Sequence, residues 1–213
     1  MQLSYRIIMA HWAEDEPFER LLAVLKQHRS AVDEISLVNG TTGHGYTPLD
    51  EMGRRSRRLA ICIKRLRDEG FASAGINMLA TLGHRDLPGG FLPELPFQAM
   101  VGHDGRIPVS CPCANTAEFR AYITQKYRLI ALAVPDFIWV DDDLRLTANG
   151  VQFPCFCPTC LRLFGRETSR EALVAQLNQP GNHELRESWV EFNCATLESL
   201  CRDIAVAVYA VNP

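Results

Sequence analysis

The sequence predicts an α/β protein of the (β/α)₈ barrel type that contains about the first four β/α units. Short apolar runs alternate with amphipathic stretches of helical length, which indicates βαβ units and a parallel sheet. The apolar runs are nearly continuous, as is typical of strands covered on both faces. Polar side chains follow each predicted strand, where barrel proteins carry their active sites. An open doubly wound sheet fits the same units, but no Gly-x-Gly-x-x-Gly motif follows the first strand.

Four strands and five helices are predicted from hydrophobic periodicity. The strands are expected at 5–10, 35–38, 72–80 and 137–140. The helices are expected at 17–29, 54–69, 116–134, 169–178 and 184–210, where apolar residues recur at helical spacing. Long loops follow strands three and four, and the first of them is rich in Gly and Pro. Because a full barrel needs roughly 250 residues, we expect the 213-residue chain to be the first part of one or to complete its sheet by association.

Composition limits the classes of partner. A hydrophobic content of 47% in 213 residues is enough for one domain spanning 1–213. The net charge of −3 gives no electrostatic reason to expect nucleic acid or an anionic membrane as a partner. No stretch of 18 apolar residues is present. The N-terminal stretch reaches Glu14 and Asp15 too early for a signal peptide, so we expect a cytoplasmic protein.

A cysteine cluster predicts a metal site. Cys155, Cys157 and Cys160 lie within six residues, and Cys111 or Cys113 could supply a fourth ligand from the end of the preceding long loop. Four thiolates with no open position are typical of structural zinc rather than catalytic zinc, so the expected cofactor is Zn²⁺ bound by the loop region 111–160. The alternatives are a redox pair of thioredoxin type and buried free thiols.

Three carboxylates follow the fourth predicted strand directly. Adjacent like charges at Asp141, Asp142 and Asp143 are unfavourable unless some are paired, protonated or bound to a ligand. One of them, placed in a pocket beside Trp139, could act as the general acid that glycoside cleavage requires. Arg145 could hold another in the ionised form. A divalent-metal site and a surface acidic turn are the alternatives.

These motifs together resemble family 42 glycoside hydrolases, a family of β-galactosidases and their relatives. The resemblance covers about 111–164: Cys111-Pro112, the helix with Phe119-Arg120-x-Tyr122, the strand PDFIWVDDD, and Cys155-x-Cys157-x-x-Cys160. It implies a retaining glycosidase on a (β/α)₈ barrel. It also implies that Cys111, rather than Cys113, joins the other three cysteines around zinc.

The sequence departs from the family at the proton donor. The family has Asp-Asn-Glu at the end of strand four, where this chain has Asp141, Asp142 and Asp143, so any of the three aspartates could hold the acid role. The family's nucleophile lies on a later strand, which would come after Pro213. We therefore expect the chain to be inactive alone. The other hypothesis is a zinc-stabilised module that binds a carbohydrate or a protein without catalysis.

Several further side chains are candidates for carbohydrate binding because they follow predicted strands. An indole face packs on the apolar side of a sugar, and polar groups bond its hydroxyls. The full set of predicted substrate-binding residues is His11, Trp12, Asn39, His84 and Arg145. A core position for Trp12 and a structural turn at Asn39 are the alternatives. Because the predicted half-barrel has open edges, association into a homo-oligomer is also expected.

Overall fold

The computed structural model is a mixed α/β protein built on one parallel sheet. It describes residues 3–40, 46–83, 95–141, 144–147, 151–165 and 168–213. The four strands pair in chain order, β1-β2-β3-β4, and every pair is parallel. Their bounds are β1 Ser4–Ile7, β2 Glu34–Asn39, β3 Ala74–Met78 and β4 Ile138–Val140. The predicted α/β class and parallel sheet are therefore confirmed; closure into a barrel remains a proposal.

Six α-helices accompany the sheet in the described part of the chain. They are α1 Asp15–Gln27, α2 Leu49–Asp68, α3 Ala117–Ala131, α4 Pro158–Leu163, α5 Arg170–Leu177 and α6 His183–Tyr209. Five of them correspond to the predicted helices. Helix α2 begins five residues earlier than expected, because Asp50 and Glu51 form ion pairs with Arg54 and Arg55 one turn later. None of the described helices has both the length and the apolar character needed to cross a membrane.

The main hydrophobic core lies on one face of the sheet. Strand residues Ile35, Leu37, Ile76 and Met78 are fully buried and belong to the same cluster as the apolar stripes of α1, α2 and α3. Sequential parallel strands joined by right-handed connections place all three helices on the same side of the sheet. We call this side the helix face.

The opposite side of the sheet carries polar and aromatic side chains. Strand residues alternate between the two faces, so this side holds, from β1 to the end of β4, Ser4, Arg6, Glu34, Ser36, Val38, Gly75, Asn77, Phe137, Trp139 and Asp141. Ser36 and Asn77 are buried at its floor. Phe137 lies directly over Gly75, where a β-carbon would approach the ring to 2.5 Å.

An ion pair shows that the sheet curls towards this polar side. Arg6 on β1 and Asp141 after β4 are three strand spacings apart, roughly 14 Å in a flat sheet. Asp141 also lies four residues beyond the level of Arg6, roughly 13 Å along the strands. The Arg6 guanidinium nevertheless donates to the Asp141 carboxylate. The two edges must therefore bend towards each other, and we call the polar side the concave face.

The close contact between Gly75 and Phe137 generates a stability prediction. We expect Gly75→Ala to lower the free energy of unfolding by about 1–3 kcal/mol, because the new methyl group would overlap the ring. As a control, Gly53→Ala in α2 meets no atom closer than 3.7 Å. It should raise the free energy of unfolding by about 0.5–1 kcal/mol through helix propensity. Urea unfolding of both variants checks the pair, and equal effects would contradict the packing described.

Candidate functional site

Four buried cysteines from two distant segments meet at one point. Cys113 comes from the segment that precedes α3, and Cys155, Cys157 and Cys160 come from the segment around the start of α4. The Cys113 segment is fixed by pairing with 98–100, through Cys113 N–H to the Gln98 carbonyl at 2.8 Å. The second segment is fixed by Phe156 N–H, which donates to the Val101 carbonyl at 2.8 Å.

The geometry of the four sulfurs fits a tetrahedral metal ion. All four Sγ atoms lie within 4.8 Å of one another. Cys113 Sγ is 3.4 Å from Cys157 Sγ and 3.5 Å from Cys160 Sγ. Metal–sulfur bonds of about 2.3 Å in a tetrahedron require sulfurs roughly 3.8 Å apart. The group can therefore hold a metal ion with little adjustment.

Backbone and amide groups donate to the sulfurs, as is usual around thiolate ligands. The backbone N–H of Asn115 donates to Cys113 Sγ, and its side-chain amide donates to Cys160 Sγ, both at 3.4 Å. The same amide donates to Thr196 in α6 at 3.0 Å. Cys157 caps the N-terminus of α4 and accepts from Cys160 N–H at 3.4 Å. These bonds connect the cysteine group to the longest helix of the fold.

Hydrogen bonds among the four thiols shift their pKa values in opposite directions. The bond with Cys155 lowers the pKa of Cys113, and the bond with Cys113 lowers the pKa of Cys157. The bond with Cys113 raises the pKa of Cys155 and of Cys160. A bound cation takes the place of the remaining protons, because metal ligation requires the thiolate form.

The fourth sulfur of the group belongs to Cys113, which corrects the ligand that the family resemblance favours. Cys111 is buried, but its Sγ lies beside Gly83, 2.9 Å from where a β-carbon on that glycine would stand. The four cysteines whose sulfurs lie within 4.8 Å of one another are Cys113, Cys155, Cys157 and Cys160. Cys111 is not one of them, whereas Cys155, Cys157 and Cys160 are placed together as predicted.

A separate aromatic cluster packs the cysteine segment against the C-terminal helices. Phe156 stacks on Trp189 of α6 with ring centroids 4.6 Å apart. Phe164, just after α4, meets the same indole edge-on at 4.9 Å. Leu173 of α5 is fully buried in this cluster. The segment between β4 and α5 is therefore held both by the sulfurs and by apolar packing.

Asp141 is the described member of the aspartate triplet, and it lies on the concave face. Its carboxylate accepts from Arg6 and, at 2.8 Å, from the Asn77 amide. Only 13% of the side chain is exposed. Trp139, two residues earlier on the same side, is 40% exposed and lies 5.7 Å from the Phe137 ring. The carboxyl end of β4 thus brings together the hydrogen-bonded carboxylate of Asp141, the guanidinium of Arg6 and the accessible indole of Trp139.

The other predicted binding residues lie elsewhere. Trp12 is 1% exposed and its indole N–H donates to the Val38 carbonyl at 3.1 Å, so its ring is part of the core and offers no face to a sugar. Asn39 points to the helix face, where its amide contacts the sulfurs of Met52 and Met78. His11 is exposed at the end of the short 3-10 helix Met9–His11.

Three of the predicted residues, His84, Asp142 and Asp143, lie outside the described residues. Arg145 follows β4 on the segment 144–147 and is partly buried.

Two residues of the concave face were missed by the sequence analysis as site residues. Arg6 and Asn77 sit at alternate positions among apolar neighbours in β1 and β3. Ser36 occupies the same kind of position in β2. Polar residues at alternate positions of the first three strands, on the side away from the helices, were the available signal. The hydroxyl of Ser36 and the amide oxygen of Asn77 are buried, and neither has a hydrogen-bond partner in the described part of the chain.

Comparison with known proteins adds no identification. No family model, no curated protein and no solved structure matches this chain. The resemblance at 111–164 to family 42 glycoside hydrolases therefore stays an interpretation of the motifs.

The sulfur group generates a prediction with a matched control. We expect Cys113→Ser to weaken metal binding by about 100-fold or more, since loss of supporting groups alone costs about 10–100-fold. Cys111→Ser should keep full metal affinity, because its sulfur lies outside the group. Competition titrations with a zinc-binding dye measure both variants. Equal losses, or a larger loss for Cys111→Ser, would show that the group is assembled differently.

Proposed function

We propose that this chain forms the first half of a (β/α)₈ barrel of a retaining glycoside-hydrolase-like protein, with structural zinc at Cys113, Cys155, Cys157 and Cys160. The observation that carries the proposal is the Asp141 carboxylate, which accepts hydrogen bonds from Arg6 and Asn77 and lies beside Trp139 at the carboxyl end of β4. Barrel enzymes place their catalytic groups at this end of the strands. The concave face gives further support, because the interior of a barrel is lined by such a face.

The contacts of Asp141 suggest how the triplet divides its roles. A carboxylate that accepts from a guanidinium and an amide is stabilised in the ionised form and is a poor proton donor. Asp141 would therefore orient Arg6 and Asn77 on the concave face. The proton donor would be Asp142 or Asp143. In a retaining enzyme a second carboxylate, from outside these four strands, would stand about 5–5.5 Å away to attack the sugar.

Zinc would act on structure and not on the reaction. Four sulfur ligands leave no position for water or substrate, so the ion would fix the two long segments at the rim of the sheet. Trp139 would offer an indole face to the apolar side of a sugar ring. The substrate class is accordingly a carbohydrate with O-glycosidic bonds.

The second candidate is a zinc-stabilised module that binds a carbohydrate or protein without turnover. The pairing of Asp141 with Arg6 and Asn77 favours it, because a carboxylate fixed by these two donors can still accept hydrogen bonds from hydroxyl groups, a role that needs no proton transfer. The two candidates share the binding step and differ in the chemistry that follows.

Tryptophan fluorescence tests the shared binding step. The chain has three tryptophans, and Trp12 and Trp189 are buried, so a sugar-induced change should come from Trp139. We expect galactosides and related glycosides at about 1–100 mM, a range of weak affinities, to shift the emission. Trp139→Phe should abolish the shift, and Trp189→Phe should keep it. No response to any sugar would contradict the glycosidase proposal and the carbohydrate-binding form of the module.

Turnover then separates the two candidates. In a protein that carries this chain within a complete barrel, we expect hydrolysis of aryl glycosides that falls by about 100-fold or more on changing the proton donor to Asn. Asp142→Asn and Asp143→Asn should be compared directly to assign that role. Sugar binding without hydrolysis in the same protein would support the binding module and overturn the enzyme proposal.

A further inference from the structure

We infer that two copies of this chain join edge to edge, with β4 of each copy beside β1 of the other, and so close an eight-stranded parallel barrel. The inference rests on the barrel architecture of the proposed function and not on its carbohydrate chemistry. It goes beyond that proposal by naming the partner, a second copy, and the residues through which the two copies meet.

Both edges of the sheet offer backbone groups for pairing. The Phe137 carbonyl accepts from Ile76 N–H at 3.0 Å, and Asp141 N–H donates to the Met78 carbonyl at 3.2 Å. Because a parallel ladder uses alternate residues, the N–H and C=O groups of Ile138 and Val140 point to the open edge. On β1 the corresponding residues are Ser4 and Arg6. A two-fold axis parallel to the strands keeps all eight of them parallel and makes the two joints identical.

The outer side of β4 carries an apolar groove. It encloses about 660 Å³ between β4 and the end of α6. Its apolar lining includes Val134, Ile138, Val140, Leu144, Ile204 and Val208. Tyr209 lines the same groove and is 67% exposed. Such a lining beside an open strand is typical of a surface that is covered by another element.

The β1 edge presents apolar side chains that match this groove. Leu3 is 38% exposed and Tyr5 is 41% exposed. Tyr5 pairs in register with Ile35, and Ile138 pairs with Ile76, so both side chains lie on the helix face. When β1 of one copy is placed beside β4 of the other, Tyr5 therefore comes to the mouth of the groove. The two edges are therefore complementary: both carry apolar side chains, and both carry them on the helix face.

Charge complementarity favours a second copy over an unrelated strand. Each copy carries one cation, Arg6, on β1, and the acidic triplet that begins with Asp141 follows β4. Within one copy the pair spans the open mouth of the curled sheet. In the closed barrel the partner's Arg6 stands on the strand next to β4, so each Asp141 can exchange its ion pair for one with the partner. Two copies thus bring two balanced pairs to the concave face, and the partner contributes a residue to the candidate site.

Closure also covers the remaining concave face. Eight strands form a barrel whose interior is filled by side chains alone. The Phe137 rings of the two copies would then face each other across the interior instead of solvent, whereas Trp139, two residues nearer the carboxyl end, would line the mouth of the barrel. In the described part of a single chain, α1, α2 and α3 pack on the helix face, and Trp139 on the concave face is 40% exposed.

Light scattering coupled to size exclusion tests the inference on the chain as it stands. At about 100 µM, well above the Kd of a specific complex, we expect a mass of about 48 kDa, twice the 23.9 kDa of one chain. Tyr5→Lys and Tyr209→Lys place a charge at the two sides of the joint, and each should give a folded monomer by circular dichroism. Ile61→Lys, on the outer side of α2 and 54% exposed, should remain a dimer.

Each other outcome overturns the inference in a distinct way. If the protein is a monomer at this concentration, a second copy does not pair with the strand edges. If both lysine variants remain dimers, the two copies join through another surface. If the mass keeps rising with concentration, the copies form an open-ended assembly and not a closed barrel. The fluorescence response of Trp139 to sugar tests the proposed function independently. If the response is absent while the protein is a dimer, the carbohydrate proposal alone is rejected. If the response is present while the protein is a monomer, the dimer alone is rejected.

Discussion

Four buried sulfur atoms within 4.8 Å of one another are the constraint on which the long segments of this fold depend. Buried thiols make only weak hydrogen bonds, and four thiolates at this spacing would repel one another strongly. A metal cation removes both difficulties at once. It would join the segment before α3 to the segment after β4, two parts of the chain that are more than 40 residues apart in sequence. Asn115 extends this link to α6 through Thr196.

The fixed segments frame the carboxyl end of the sheet, where the concave face is most polar. Arg6, Asn77 and Asp141 come from three different strands and meet only because the sheet curls. The same curl brings the two open edges towards the positions they would occupy in a barrel. The candidate site and the open edges are thus two consequences of one geometry: sequential parallel strands with their helices on one side.

The sequence predicted the elements of the fold well, because each strand and helix has a local pattern of apolar residues. Local patterns do not decide which way a side chain points at the end of an element. Trp12 turns into the core, and Asn39 turns towards Met52 and Met78. Helix α4 has only six residues, too few to show the apolar periodicity from which the other helices are predicted.

Long-range contacts were the harder part of the site to predict. Spacing alone does not decide whether Cys111 or Cys113 is the fourth sulfur of the group. The choice depends on the pairing of 111–113 with 98–100, which is a tertiary contact. The resemblance pointed to Cys111, two residues from the sulfur that the fold brings into the group. The Arg6–Asp141 pair could not be read from either strand, because it follows from the curvature of the whole sheet.

X-ray absorption spectroscopy at the metal edge tests the central claim most directly. For the purified protein with one equivalent of zinc, we predict four sulfur neighbours at about 2.3 Å and no nitrogen or oxygen neighbour. The same spectrum should lose one sulfur in Cys113→Ser and none in Cys111→Ser. A shell with fewer than four sulfurs in the unaltered protein, or failure to retain any metal, would contradict the account.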